Sequence, residues 1–189
     1  MFDVPFVHKN IEETLDINKA VNEISEHCKT LKLPNPWAKQ SHVITSIAAG
    51  GEDAWQSEDI LKACMPVIKE YIDQAIGLNV KLNCHMWYNI YNEGFNQEQH
   101  NHITVGNIAS GVVYLSMPEK STATTFINPN TLFLNSTEYK EELKYYTPKV
   151  RKGDVIIFPP WLEHRVDKQF DIKNTRITVA FNISNSENE

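Results

Sequence analysis

A chain of 189 residues with 41% hydrophobic and 22% charged residues has the make-up of one globular domain, long enough to bury a core. The formal charge is −6 and only three of the eighteen basic residues are Arg, so no general nucleic-acid-binding face is expected. Cys28, Cys64 and Cys84 form neither a C-x-x-C pair nor a disulfide framework, the first residues lack a signal-peptide pattern, and no apolar run reaches membrane-spanning length. A reducing cytoplasm is the expected location.

In chain order, Ile17, Val21, Ile24 and Cys28 recur every three or four residues, which predicts a helix stopped by Pro34 and Pro36. A second helix is expected from about Ser57, with Glu58 and Asp59 favoured by the dipole of its first turn. Pro66 predicts a kink or split, and Gly77 a C-cap. Beyond Leu78 the pattern turns to short strands: Val80–Tyr91, Ile108–Ser116, Thr124–Ile127, Asp154–Phe158 and Arg176–Ile183, with turn residues between them. The stretch 130–149, with Tyr139, Tyr145 and Tyr146, reads as a short helix in a long connection, either a lid or a peripheral insertion. The resulting expectation is an α+β fold, a barrel or sandwich with N-terminal helices packed on one sheet. Residues 1–189 form a single domain in this reading: 1–80 helical support, 81–184 barrel core and 185–189 a frayed tail.

Three of the seven histidines stand out. His100 and His102 are two apart, so on a strand they share a face, and His164 follows the Asp154–Phe158 strand and its Pro159-Pro160-Trp161 turn. Imidazoles converging from two strands suit iron, zinc, copper or nickel, although a His-x-His pair is also compatible with solvated surface. His27 reads as a surface group and His85 as a core or interface group.

Arg176 opens the last strand, where alternation sets Arg176, Thr178, Ala180 and Asn182 on one face and Ile177, Val179 and Phe181 on the other. If the second set packs on the helices, Arg176 points into the barrel, where a guanidinium needs an anion. A carboxylate ligand, an internal acid or a watery rim would each satisfy it. Thr178 adds a hydroxyl.

From Tyr91 onward the chain resembles the 2-oxoglutarate and iron(II)-dependent dioxygenases of the prolyl-4-hydroxylase-like branch, and especially oxygenases of bacteria and marine phages. The resemblance is carried in order by Tyr91-Asn-Glu-Gly94 with His100 nine residues after the Tyr, by Ser110-Gly-Val-Val-Tyr-Leu-Ser116 and by Thr124-Thr-Phe126. It continues through Lys152-Gly-Asp-Val-Ile-Ile-Phe158, Phe158-Pro-Pro-Trp-Leu-Glu-His-Arg-Val166 and Arg176-Ile-Thr178. It covers roughly the C-terminal hundred residues, with only Trp55-Gln-Ser57 similar before them.

The resemblance implies a double-stranded β-helix (jelly-roll, cupin-like) barrel and an enzyme using Fe(II), 2-oxoglutarate and O2, with release of succinate and CO2. It implies His100, His102 and His164 as metal ligands, Arg176 with Thr178 at the C5 carboxylate, and Tyr91 or Tyr114 as a phenol donor, Tyr91 being favoured by its spacing to His100. Two departures stand out: His102 replaces the usual Asp, and twelve residues separate His164 from Arg176. The competing readings are a three-histidine cupin-type enzyme without 2-oxoglutarate and a non-catalytic binding barrel. A small molecule or peptide is the expected substrate, membrane and nucleic acid are not expected partners, and a homodimer is left open.

Overall fold

The computed structural model describes residues 3–31, 43–47, 55–77, 81–131, 135 and 141–185. Its elements run β1 (Val7–Asn10), α1 (Ile17–Cys28), β2 (Ile44–Thr45), α2 (Glu58–Ala75), β3 (Leu82–Tyr91), β4 (Gln97–His100) and β5 (Asn107–Ser116). They continue with β6 (Thr124–Ile127), a 3-10 turn (Glu141–Leu143), β7 (Tyr145–Tyr146), β8 (Asp154–Phe158), β9 (His164–Val166) and β10 (Arg176–Asn185).

Both helices start where their caps allow. The Asp16 side chain accepts from Lys19 N at 3.0 Å, and Ser57 Oγ accepts from Ile60 N at 3.5 Å. Helix α2 runs through Pro66 as one element rather than splitting, because its buried face of Ile60, Cys64, Val67, Ile68, Tyr71 and Ile72 holds it to the sheet. It ends at Ala75 with Ile76 as its cap, and Gly77 just beyond, with φ of +66°, sends its N–H back to Ile72 O at 2.9 Å. The expected Pro34–Pro36 stop lies outside the described residues.

Two antiparallel sheets make the barrel, one ordered β1-β8-β5-β10-β3-β2 and the other β4-β9-β6-β7. This is the double-stranded β-helix architecture. Two strands of the large sheet, β1 and β2, were not signalled by the sequence pattern, being four and two residues long. Pairing explains them. Val7 to Asn10 lie opposite Ile157 to Asp154, with Asn10 Nδ2 and His8 Nε2 on the Asp154 carboxylate at 2.7 and 2.9 Å.

Strand β10 is the centre of the large sheet and sorts its side chains strictly. Ile177, Val179, Phe181 and Ile183 join the core beneath the helices, together with Ile24, Ile60 and Ile68. Arg176, Thr178 and Ala180 line the barrel interior. A second core of Val112, Tyr114, Ile156, Phe158 and Phe126 fills the space between the sheets beside that interior. At Gly111, opposite Phe181, a Cβ would lie 2.2 Å from the phenyl ring, so a residue without a side chain is required there.

Part of the tyrosine-rich stretch is also sheet. Tyr145 and Tyr146 pair with Ile127 and Phe126, and Tyr146 stacks edge-on against Phe6. Tyr139 lies outside the described residues. No helix among the described residues is long and apolar enough to cross a membrane.

Candidate metal centre

The barrel interior gathers the three histidines. His100 faces His164 across the β4–β9 pair, with ring centroids 4.3 Å apart. His102 shares that inward face as expected, its ring stacked on that of His100 with centroids 5.3 Å apart. Strand β4 stops at His100, its register with β9 being irregular, and the segment that follows is pinned by His102 N donating to Pro160 O at 2.8 Å. The His102 ring lies 5.0 Å from that of His164. One donor nitrogen from each histidine lies within 4.8 Å of the others, a spacing that a single metal ion can bridge.

Each ring is oriented by an oxygen at Nδ1. His100 Nδ1 lies 2.7 Å from Glu98 O, His164 Nδ1 3.0 Å from Leu162 O and His102 Nδ1 2.7 Å from Asn182 Oδ1. Acceptor oxygens there hold the proton on Nδ1, so Nε2 is the nitrogen that each neutral ring offers. Ser110 Oγ also donates to Asn182 Oδ1, at 2.8 Å, which fixes the amide. Burial supports the neutral form: it depresses all three imidazoles, His102 to about 4 and His164 well below the usual imidazole range, where the other two rings add to the effect. Three neutral imidazoles form the donor set that divalent iron, zinc, copper and nickel accept.

Arg176 stands across the same cavity with 0% exposure. Its guanidinium carbon lies 4.4 Å from the Tyr91 ring centre and 5.5 Å from that of Tyr114. All three guanidinium nitrogens are buried without a hydrogen-bond partner among the described residues. The alternatives of an internal acid and of a watery rim are therefore both excluded within those residues. Tyr91 Oη donates to Gln97 Oε1 at 2.6 Å and Tyr114 Oη to Thr124 Oγ1 at 3.0 Å. Burial pushes the Tyr91 phenol up to about 12, with Arg176 pulling the other way, and raises Tyr114 too. Both phenols thus keep their protons at neutral pH. Thr178 is buried beside the guanidinium.

Residues 85–182 match the model of a family described as "Putative 2OG-Fe(II) oxygenase". The chain belongs to that family. As a member, the oxygenase is an oxidoreductase whose metal is iron(II) and whose co-substrate is 2-oxoglutarate, as the motifs from Tyr91 to Thr178 implied. No curated protein matches it.

Solved structures share the oxygenase's fold at low identity. A prolyl-4-hydroxylase from Pseudomonas putida aligns at a TM-score of 0.63 and 13% identity, over 96% of this chain and 94% of its own. The collagen prolyl hydroxylase of Paramecium Bursaria Chlorella virus-1, solved with 2-oxoglutarate, gives 0.60 and 14% over 96% of both chains. The epimerase SnoN of nogalamycin biosynthesis, solved with Fe3+, α-ketoglutarate and nogalamycin RO, gives 0.66 and 13%, over 97% of this chain and 80% of its own.

The structure adds residues that the sequence did not single out. Asn182 was assigned to the inward face by alternation alone, and the signal for its role was its place two strand steps beyond Thr178. Gln97, Asn89 and Trp87 line the site without any motif to mark them. The remaining histidines stay apart from it: His27 is half-buried on the Tyr88 hydroxyl at 3.0 Å, and His8 holds Asp154. His85 is exposed beside Trp87 instead of being a core group, because it lies towards the outer end of β3. His42 lies outside the described residues.

Proposed function

We propose that His100, His102 and His164 hold iron(II), and that Arg176 receives the C5 carboxylate of 2-oxoglutarate. The observation that carries this reading is Arg176: a fully buried guanidinium with three unpartnered nitrogens, facing the same cavity as three inward imidazoles. Burying such a cation without an anion is costly, so the site is built for a ligand that brings one. A bidentate carboxylate fits that fork, and the protonated Tyr91 and the Thr178 hydroxyl add donors.

Bound iron(II) with 2-oxoglutarate and O2 supplies the oxidation of an unactivated carbon, releasing succinate and CO2. The protein's own part is positioning and exclusion of water. The carbonyls of Glu98 and Leu162 and the amide of Asn182 aim the imidazoles. Phe126 and Phe158 wall the His164 side with apolar surface. Tyr91 is the favoured phenol for the acid because it lines the cavity, and Gln97 has to release its hydroxyl when the acid enters. The cavity is only about 30 Å³, room for roughly one or two waters. Entry of the acid therefore requires such a side-chain shift.

The whole chain acts as one domain in this reading, supported by β1 and β2 joining the sheet of β3, β5, β8 and β10. We read it as a cytoplasmic enzyme of a small molecule or a peptide. Anaerobic titration with iron(II), then 2-oxoglutarate, followed by succinate detection in air tests the assignment. His164→Ala should abolish tight metal binding, since His100 and His102 lie only two residues apart and supply one side of the set. Near-stoichiometric iron in that variant would overturn the ligand assignment.

A further inference from the structure

A second cavity, of about 190 Å³, opens beside the histidines and shares Trp87, Asn89, Gln97, His100 and His102 with the co-substrate cavity. Its outer wall comes from the segment around β2, with Val43 and Ile47 apolar and Thr45 hydroxylic. Among the described residues no Asp, Glu, Lys or Arg lines it, although the chain as a whole carries a formal charge of −6.

One polar atom in this wall lacks a partner. Asn89 is 4% exposed, and its Oδ1 is buried with no hydrogen bond among the described residues. Asn89 is fixed on β3 between two neighbouring strands, paired with both Thr178 and Thr45, so its backbone cannot turn the amide away to solvent. It lies where the two cavities meet. A buried acceptor left open in this way is complementary to a ligand that brings a donor.

We propose that this cavity is the substrate subsite, and that it takes an uncharged, mainly apolar group bearing one hydroxyl or N–H that donates to Asn89 Oδ1. The proposal rests on the iron and 2-oxoglutarate reading above, which places the reactive centre at the histidines forming its floor. The described wall offers no charged side chain to pair with a charged group once water is displaced. The apolar body packs on Trp87, Val43 and Ile47. The donor fixes which carbon faces the imidazoles.

The test uses the full chain loaded with zinc(II), a redox-silent stand-in, and 2-oxoglutarate. Four probes sharing one ring are compared by ligand-observed NMR titration: benzyl alcohol, benzyl methyl ether, benzylammonium and benzoate. The alcohol should bind roughly fivefold more tightly than the ether, the worth of one hydrogen bond. It should bind at least about tenfold more tightly than either charged probe. Asn89→Leu, close in size, should erase the preference of alcohol over ether. Equal binding of alcohol and ether by the unaltered chain, tighter binding of a charged probe, binding of none of the four, or a preference that survives in a folded Asn89→Leu overturns the proposal. If that variant does not fold, the ranking in the unaltered chain decides. Zinc content and 2-oxoglutarate affinity are measured on the same preparation. Normal loading with the wrong ranking rejects the subsite alone, whereas failed loading rejects the metal-site reading and the subsite with it.

Discussion

At the scale of single residues, the proposed site turns on His102 and Arg176. In the proposed ligand set His102 stands where the resemblance leads one to expect a carboxylate, and a neutral ring there would leave the metal centre one charge more positive. Its orientation depends on Asn182, itself fixed by Ser110. We expect His102→Ala to weaken metal binding markedly and His102→Asp to retain it. Asn182→Leu should lower affinity by ~10–100-fold, the usual effect of removing a group that orients a ligand. Cobalt(II) titrations read by absorption would show this, and unchanged affinity in His102→Ala would remove that histidine from the set. Arg176→Leu should cost 2-oxoglutarate ~2–5 kcal/mol of binding and leave the metal in place. The same change removes an unpartnered buried cation, so the metal-free variant should melt no lower than the unaltered chain. Calorimetry with the acid and melting without it check the two halves separately.

At the scale of elements, β10 is where stability and function meet, since one strand faces the helices with one set of residues and the site with the other. Phe181 fits there only because residue 111 on β5 is Gly. The phenyl ring is fully buried and has no open side to move to. Gly111→Ala should therefore destabilise the fold by ~1–3 kcal/mol, the usual penalty of overpacking, as read from chemical denaturation midpoints. An unaltered midpoint would mean that β10 slides to make room. Much of this element pattern was legible beforehand, because period-two alternation and turn residues mark β5, β6, β8 and β10 strongly. The short β1 and β2 were not, since strands this brief have no periodicity of their own and exist through their partners. Tyr145 and Tyr146 were likewise read as part of a connection, and it is pairing with β6 that makes them strand.

At the scale of the whole molecule, gathering three imidazoles inside a barrel ties folding to pH. Burial depresses their affinity for protons, His102 titrating at about 4, while unfolded imidazoles titrate near ~6.5. Between those values the unfolded chain binds more protons than the folded one, so stability rises with pH across that window. The metal-free protein should hold its melting temperature above pH ~7 and lose it progressively as the pH falls from ~6.5 towards 4. Carboxylates also contribute at the acid end, so the comparison that isolates the triad is with His102→Ala, whose profile should be flatter. Identical profiles for the two would count against a neutral buried His102.

The sequence by itself determined the two helices, the main strands, the inward face of Arg176 and the candidate ligands, because periodicity, caps and motif order are local properties that survive without a fold. It also offered Tyr91 and Tyr114 as alternative phenols and favoured Tyr91 by its spacing to His100. Only the tertiary structure decided how His102 is held in the cluster, by its N–H on Pro160 O just beyond the end of β4. It alone showed that Asn182 aims that ring, that Arg176 has no protein partner among the described residues, and that Asn89 has an open acceptor beside a neutral cavity. The physical reason is the same in each case. Whether a buried polar atom is satisfied depends on what distant segments place around it, and a pattern of neighbours along the chain does not contain that information.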